Sequence, residues 1–257
     1  MAEILAITNQ KGGVGKTTTT LNLGAGLVKR GKRVLFVDMD PQCSLSYIMG
    51  GDCSGNIAST RELLMNPQMD PTIAVQHLKE GDLICANPGL SAMDVTLTQA
   101  GKEFRLQEVF KRLAPFYDYV VIDSPPNLGI LTVNILTASD GIIIPALADI
   151  FSLQGVGQLY STIQAVKTYC NPGLEIYGIL LVRHTDRFIL HRSMRDMLEE
   201  TARQIGTQVF RAAIREAIAV REAEAAQQSI FTYAPRSKQA KDYDAFVEEF
   251  LHMRGAR

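Results

Sequence analysis

The chain has 257 residues, 46% of them hydrophobic and 21% charged, an ordinary globular balance and enough length for one α/β domain, residues 1–257, with a sizeable core. Lys plus Arg at 26 against Asp plus Glu at 27 leaves a net charge of −1, which excludes a whole-molecule field drawing the protein to nucleic acid; any DNA contact must come from a local patch. No apolar run approaches the roughly 20 residues that span a bilayer. No secretory leader precedes the first apolar run, and Cys43, Cys53, Cys85 and Cys170 lack C-x-x-C spacing, so they read as reduced, small, buried or half-buried thiols of a cytoplasmic protein.

Ile4-Leu5-Ala6-Ile7 is a short apolar strand pattern, and Leu21, Leu23, Ala25, Leu27 and Val28 recur at helical spacing. Between them stands Asn9-Gln10-Lys11-Gly12-Gly13-Val14-Gly15-Lys16-Thr17-Thr18. In such a turn glycines let the backbone fold tightly and aim its N–H groups at phosphate oxygens, and the helix N-terminus adds partial positive charge. Lys16 supplies a point charge to the β- and γ-phosphates of a nucleoside triphosphate, and the Thr17 hydroxyl takes one position on Mg²⁺. The common phosphate-loop pattern needs glycine where Gln10 stands. A second lysine, Lys11, opens the glycine run instead, on the loop's far side, where it suits a partner subunit's phosphate better than its own.

Lys11-Gly-Gly-Val-Gly-Lys16-Thr17 resembles the deviant Walker A motif of the ParA/MinD superfamily. The resemblance implies a P-loop NTPase fold, ATP held by Lys11, Gly12, Gly13, Val14, Gly15, Lys16, Thr17 and Thr18, and a nucleotide-sandwich homodimer in which Lys11 serves the partner's site.

Farther along, Val34-Leu35-Phe36-Val37 is a second buried strand pattern ending at Asp38-Met39-Asp40-Pro41-Gln42, and carboxylates at such strand ends lie where open parallel sheets bind ligands. The segment resembles the family's second acidic motif. That likeness implies Asp40 as the residue orienting the attacking water, with Asp38 on the Mg²⁺ shell or in a nearby hydrogen bond. Residues 43–82, interrupted by Gly50-Gly51, Pro67 and Pro71, carry no assigned chemistry beyond a short helix near Thr60 to Met65. Leu83-Ile84-Cys85-Ala86 reads as a strand, and Phe104, Leu106, Val109, Phe110 and Leu113 mark the apolar face of a helix from about Lys102.

Tyr119-Val120-Val121-Ile122-Asp123 is a strand ending in a carboxylate, and Ser124-Pro125-Pro126 forces a turn. This resembles the superfamily's Walker B arrangement and makes Asp123 the metal-shell residue. Strands over Gly141–Pro145, Ile176–Val182 and Gln208–Ile214 alternate with helices from about Ser152 and Leu190. The alternation predicts an α/β fold, a mostly parallel sheet with helices on both faces.

From Val182 the chain turns basic, with Arg183, His184, Arg187, His191, Arg192 and Arg195; Arg192 and Arg195 share a helix face by their spacing. With Arg215 and Arg221 they form a patch suited to phosphate backbones. The bland reading, arginines paired with Asp186, Asp196, Glu199 and Glu200 on a solvated face, stands beside it. After the last strand Ile214-Arg215-Glu216-Ala217 departs from the Ile-Pro-Arg-Asn of chromosomal relatives, with Glu216 in the arginine's place.

The resemblance covers nearly the whole chain and implies a ParA/Soj-like ATPase for DNA partition. In this expectation the ATP dimer binds nonspecific DNA on the nucleoid and a ParB-type centromere-binding protein stimulates hydrolysis. The alternative is a MinD-like membrane-positioning or other cargo-positioning ATPase. That needs a basic amphipathic C-terminal helix, whereas Asp-Tyr-Asp-Ala-Phe-Val-Glu-Glu-Phe-Leu at 242–251 is acidic, so no membrane partner is expected. An iron–sulfur carrier needs suitably placed cysteines, which the spacing does not offer.

Overall fold

A computed structural model of the chain describes residues 1–184 and 189–255. Its first half runs β1 (Glu3–Ile7), α1 (Lys16–Val28), β2 (Val34–Asp38), α2 (Ser44–Met49), α3 (Thr60–Met65), β3 (Val75–Leu78) and β4 (Gly81–Ile84). Then come α4 (Met93–Thr96), α5 (Arg105–Leu113), β5 (Tyr119–Asp123), α6 (Ile130–Ala138), β6 (Gly141–Ala146) and α7 (Ile150–Tyr169). The last third contains β7 (Glu175–His184), α8 (Ile189–Gln204), β8 (Val209–Arg215), α9 (Ile218–Ala225), α10 (Ile230–Tyr233) and α11 (Lys238–Gly255).

The strands form one sheet in the order β3-β4-β2-β5-β1-β6-β7-β8. All neighbours pair parallel except β3, which runs antiparallel to β4 at the edge. Central strands of such a sheet are covered on both faces, so their sequences are continuously apolar. β2 shows the consequence: Leu35 and Val37 enter one core layer with α3 to α8, while Val34 and Phe36 enter the other with α1, α2 and α9 to α11. Gly24 of α1 rests directly on the Phe36 ring.

The order places the site. β1 leads through α1 to β2, yet β5 lies between these two strands, and β6 flanks β1 on its other side. The connection leaving β1 runs one way along the sheet to β2, and the connection leaving its neighbour β5 runs the other way to β6. This opens a crevice beyond the carboxyl ends of β1 and β5, and ligands of open α/β sheets bind there. The loop after β1 is the glycine run.

Several expectations are refined. The helix expected from Lys102 starts as a 3₁₀ turn, Lys102–Phe104, before α5. α7 starts earlier than Ser152 because the Asp149 side chain accepts from the Ser152 N–H at 2.8 Å and caps the first turn. Residues 43–82 hold α2 and β3 as well as α3, elements too short to show a period.

Candidate nucleotide site

Gly13 and Gly15 in the loop have φ of 71° and 76°, the left-handed region that side chains other than glycine rarely adopt. A Cβ at Gly13 would face open space, so the backbone itself borders the crevice. The loop is pinned at its start: Asn9 donates from its side chain to the Pro145 carbonyl at 2.7 Å and accepts from the Lys11 N–H at 3.0 Å. It continues into α1, whose first-turn N–H groups have no side-chain cap. An uncapped helix start beside glycine amides is an anion cradle.

A cavity of about 540 Å³ opens in front of it, lined by Gly12, Gly13, Lys16, Thr17, Asp40 and Arg215 among others. The far wall comes from the ends of β7 and β8 and from α9, through Val182, Ile214, Val220 and Glu224. Glu224 takes a hydrogen bond from the Thr18 hydroxyl, tying α9 to the first turn of α1.

Lys16 is 7% exposed, and its ammonium reaches back to the Lys11 carbonyl at 3.3 Å. Burial lowers its pKa, while Asp123 and Asp40 oppose the loss of charge. Lys11 behaves differently. Its ammonium turns to α7 and meets the Asp149 carboxylate at 2.5 Å, away from the residues that line the cavity. Burial of Asp149 acts to raise its pKa, but hydrogen bonds from Lys11 and Ser152 bring it below the ordinary aspartate value.

Register sets the acidic floor. Asp38 of β2 and Asp123 of β5 are direct partners across neighbouring strands, both with 0% exposure. Burial and then the Asp38 charge push Asp123 well above its usual range, against the Thr17 hydrogen bond and Lys16. Asp38 is raised to about 6 by burial, held back by the Ser46 hydroxyl and N–H and the Asp40 N–H. The Thr17 hydroxyl donates to Asp123 at 2.6 Å. The Asp123 carboxylate, withdrawn from water beside the Thr17 hydroxyl and a phosphate cradle, makes with that hydroxyl a hard oxygen donor set, and that chemistry fits Mg²⁺ carried in with a triphosphate.

Asp38 itself is filled by protein donors, Ser46 N at 2.8 Å, Ser46 Oγ at 2.7 Å and Asp40 N at 3.0 Å. These bonds tie Asp38 to the first turn of α2 and to the backbone that carries Asp40. Asp40 faces the cavity and accepts from the Gln42 N–H at 3.0 Å.

The basic positions divide. Arg187 lies outside the described residues, as does the side chain of Arg192. Arg195 pairs with Glu199 at 3.1 Å, as the bland reading had it. Arg215 and Arg221 line the nucleotide cavity; Arg215 pairs with Asp242 of α11 at 2.5 Å, and Arg221 lies 3.8 Å from Glu216. Glu216 also holds Arg183 at 2.7 Å. Asp149, Ser46, Glu216 and Glu224 were assigned no role from the sequence. Asp149 before an apolar helix was a readable capping signal, but its pairing with Lys11 depends on tertiary structure.

A family model described as an AAA domain matches residues 2–176. The sporulation initiation inhibitor protein Soj of Bacillus subtilis is 36% identical over 251 residues, covering 97% of this chain and 98% of Soj. The chain belongs to the ParA/Soj family of P-loop ATPases. The chromosome partitioning protein ParA of Myxococcus xanthus is 35% identical over 254 residues, 98% of this chain and 88% of that protein. A crystal structure named cobyrinic acid a,c-diamide synthase, from Mycobacterium smegmatis with bound ATP analogue and magnesium, superimposes with a TM-score of 0.85 at 33% identity. That match covers 100% of this chain and 98% of the other. The present ParA/Soj-type chain is accordingly an ATPase whose cofactors are ATP and Mg²⁺, and no helix among its described residues is long and apolar enough to cross a membrane.

Proposed function

We propose that this partition ATPase works as an ATP-closed homodimer that binds nonspecific DNA, and that hydrolysis, stimulated by a ParB-type centromere-binding partner, releases it. The observation that carries the reading is the direction of Lys11: its ammonium leaves the cavity of its own loop for Asp149 at the start of α7. A lysine on that side of the loop faces a second subunit's phosphates more readily than its own once it leaves Asp149. The partition names of Soj and ParA relatives support the DNA cargo.

Within the site, Lys16 and the loop amides bind the β- and γ-phosphates, Thr17 and Asp123 hold Mg²⁺, and Asp38 fixes the backbone of Asp40. Asp40 orients the attacking water. Mg²⁺ supplies charge neutralisation at the phosphate oxygens. Lys16, with the partner's Lys11, stabilises the charge that develops on the transferring phosphoryl group. Arg187, Arg192, Arg195, Arg215 and Arg221 are the DNA-contact set, of which Arg215 and Arg221 border the nucleotide cavity and can couple its state to DNA.

The membrane-positioning alternative is disfavoured by α11, which buries Tyr243, Phe246, Val247 and Phe250 in the core and keeps no apolar face for lipid. The Mycobacterium smegmatis name favours a second reading, ATP-dependent amidation of a small carboxylic acid.

Fluorescence anisotropy of a nonspecific duplex with ATP, ADP or no nucleotide, at two salt concentrations and with Arg187→Glu alongside, tests the proposal. Binding only with ATP, weakened by salt and by the substitution, supports it. ATP turnover that ignores DNA and requires a carboxylic acid with an amide donor would support amidation instead.

A further inference from the structure

Three of the four cysteines, spread widely in sequence, converge on one corner of the fold. Cys43 precedes α2, Cys53 lies on the loop after it, and Cys85 follows β4. Cys53 is exposed and Cys85 buried.

One side chain ties the two segments together. Gln76 of β3 accepts from the Asp52 N–H at 2.7 Å and returns a hydrogen bond to the Asp52 carbonyl at 3.0 Å. Its second amide N–H donates to Cys85 Sγ at 3.2 Å, so its side-chain donors and its acceptor are all used. Gly51 closes the arrangement: a Cβ there would stand 2.4 Å from Cys85 Sγ, so only glycine lets the loop lie directly on that sulfur. The Cys53 thiol rests on the Gly51 carbonyl at 3.9 Å, two residues along the chain from the point where the loop touches Cys85, and after burial its neighbourhood is one of the lesser causes that raise the Cys85 thiol. The loop is thus gripped on both sides of the sulfur it covers.

We propose that Cys53 and Cys85 form an oxidative modification site that closes to a reversible intramolecular disulfide. The oxidant is a hydroperoxide, represented here by hydrogen peroxide. Cys53, the exposed member, is oxidised first: its sulfur takes one peroxide oxygen to give a sulfenic acid, and the other oxygen leaves as water. The Cys85 sulfur then displaces the hydroxyl from Cys53, and the Cys85 proton leaves with that hydroxyl as a second water. Two thiols lose two electrons and one peroxide gains them. Burial pushes the Cys85 thiol up to about 12, which keeps it from meeting the peroxide first and makes the closing step the slow one. Burial likewise pushes Cys43 up to about 12; what distinguishes Cys85 is that the Gly51 loop lies directly on its sulfur. The bond would lock the loop to the strand end beside Ser46, which holds both Asp38 and the Ala86 N–H. The proposal stands independently of the cargo.

The test uses the full chain without reductant, treated with hydrogen peroxide, alkylated and mapped by peptide mass spectrometry. The expected product is a Cys53–Cys85 linked peptide pair, about 2 Da lighter than the two thiol peptides and separated by dithiothreitol. Cys43 and Cys53 share the tryptic peptide 34–61, so Cys43→Ser, which keeps the link, assigns the partner. Cys53→Ser, at an exposed position, removes the link while circular dichroism stays unchanged. Melting of the oxidised wild type rises by roughly 5 to 10 °C, because the closure spans about 30 residues. Cys53 passing to sulfinic or sulfonic acid with Cys85 still alkylated, a link to Cys43, or a link between two chains each overturns the proposal.

Discussion

Lys11 and Asp149 are joined side chain to side chain at 2.5 Å, linking the phosphate loop to the residue that caps α7. A lysine that serves a facing subunit must first leave this carboxylate. With side-chain exposures of 25% and 35%, the pair is worth on the order of 0.5 to 1 kcal/mol. Asp149→Asn keeps a capping oxygen and removes the charge. It is expected to tighten ATP-dependent dimerisation by roughly two- to fivefold, measured by sedimentation with a non-hydrolysable ATP analogue. Weaker dimerisation would instead mean that the closed state also uses Asp149.

Lys16 and Asp40 both face the cavity, but their removal should separate binding from turnover. Lys16→Ala deletes the buried ammonium beside the phosphates and should abolish nucleotide binding in calorimetry. Asp40→Ala should leave ATP affinity within a few-fold and reduce hydrolysis by about 100-fold or more, the scale of a lost proton-handling or water-positioning group. Parallel loss of affinity in both variants would remove Asp40 from the water-orienting role.

Gly24 tests the packing that holds α1 against β2. A Cβ at this position would come within 2.1 Å of the Phe36 ring, and that ring has 0% exposure, so it cannot swing into solvent. Alanine gains about 1 kcal/mol of helix propensity over glycine, while overpacking costs about 1 to 3 kcal/mol. Urea denaturation of Gly24→Ala is expected to show net destabilisation; a gain would mean the two elements separate easily.

Asp118 offers a pH test away from the site. Its carboxylate takes hydrogen bonds from the Arg33 guanidinium and N–H, which bring it down to about 2. A carboxyl whose folded value lies below its unfolded value stabilises the fold above the unfolded value, near 4, and loses that contribution as pH falls toward 2. The cost of Asp118→Asn, small as for any exposed pair, should therefore be constant from pH 7 to 5 and shrink below pH 4 in denaturant titrations. A cost that grows on acidification would contradict the pairing.

Much of this molecule was legible from local pattern. The strands β1, β2, β5, β6 and β7 are continuously apolar because both faces of a parallel sheet are covered, and the glycine run announced its chemistry because phosphate binding there uses backbone conformation more than side-chain partners. Asp40 and Asp123 could be singled out because each stands at or just beyond the end of such a strand. α2 and β3 were unreadable because four to six residues carry no period, and β3 takes its place only by pairing with β4.

The sequence alone determined the alternation of strands and helices, the phosphate loop and the identity of the residues around it, since these depend on neighbours in the chain. Only the tertiary structure decided the pairings. Asp38 meets Asp123 because β2 and β5 are adjacent although far apart in sequence, Lys11 meets Asp149 because β6 flanks β1, and the Gly51-Asp52 loop lies on Cys85 because Gln76 holds it to the strand end. Contacts of this kind arise from strand order and register, and no spacing along the chain encodes them.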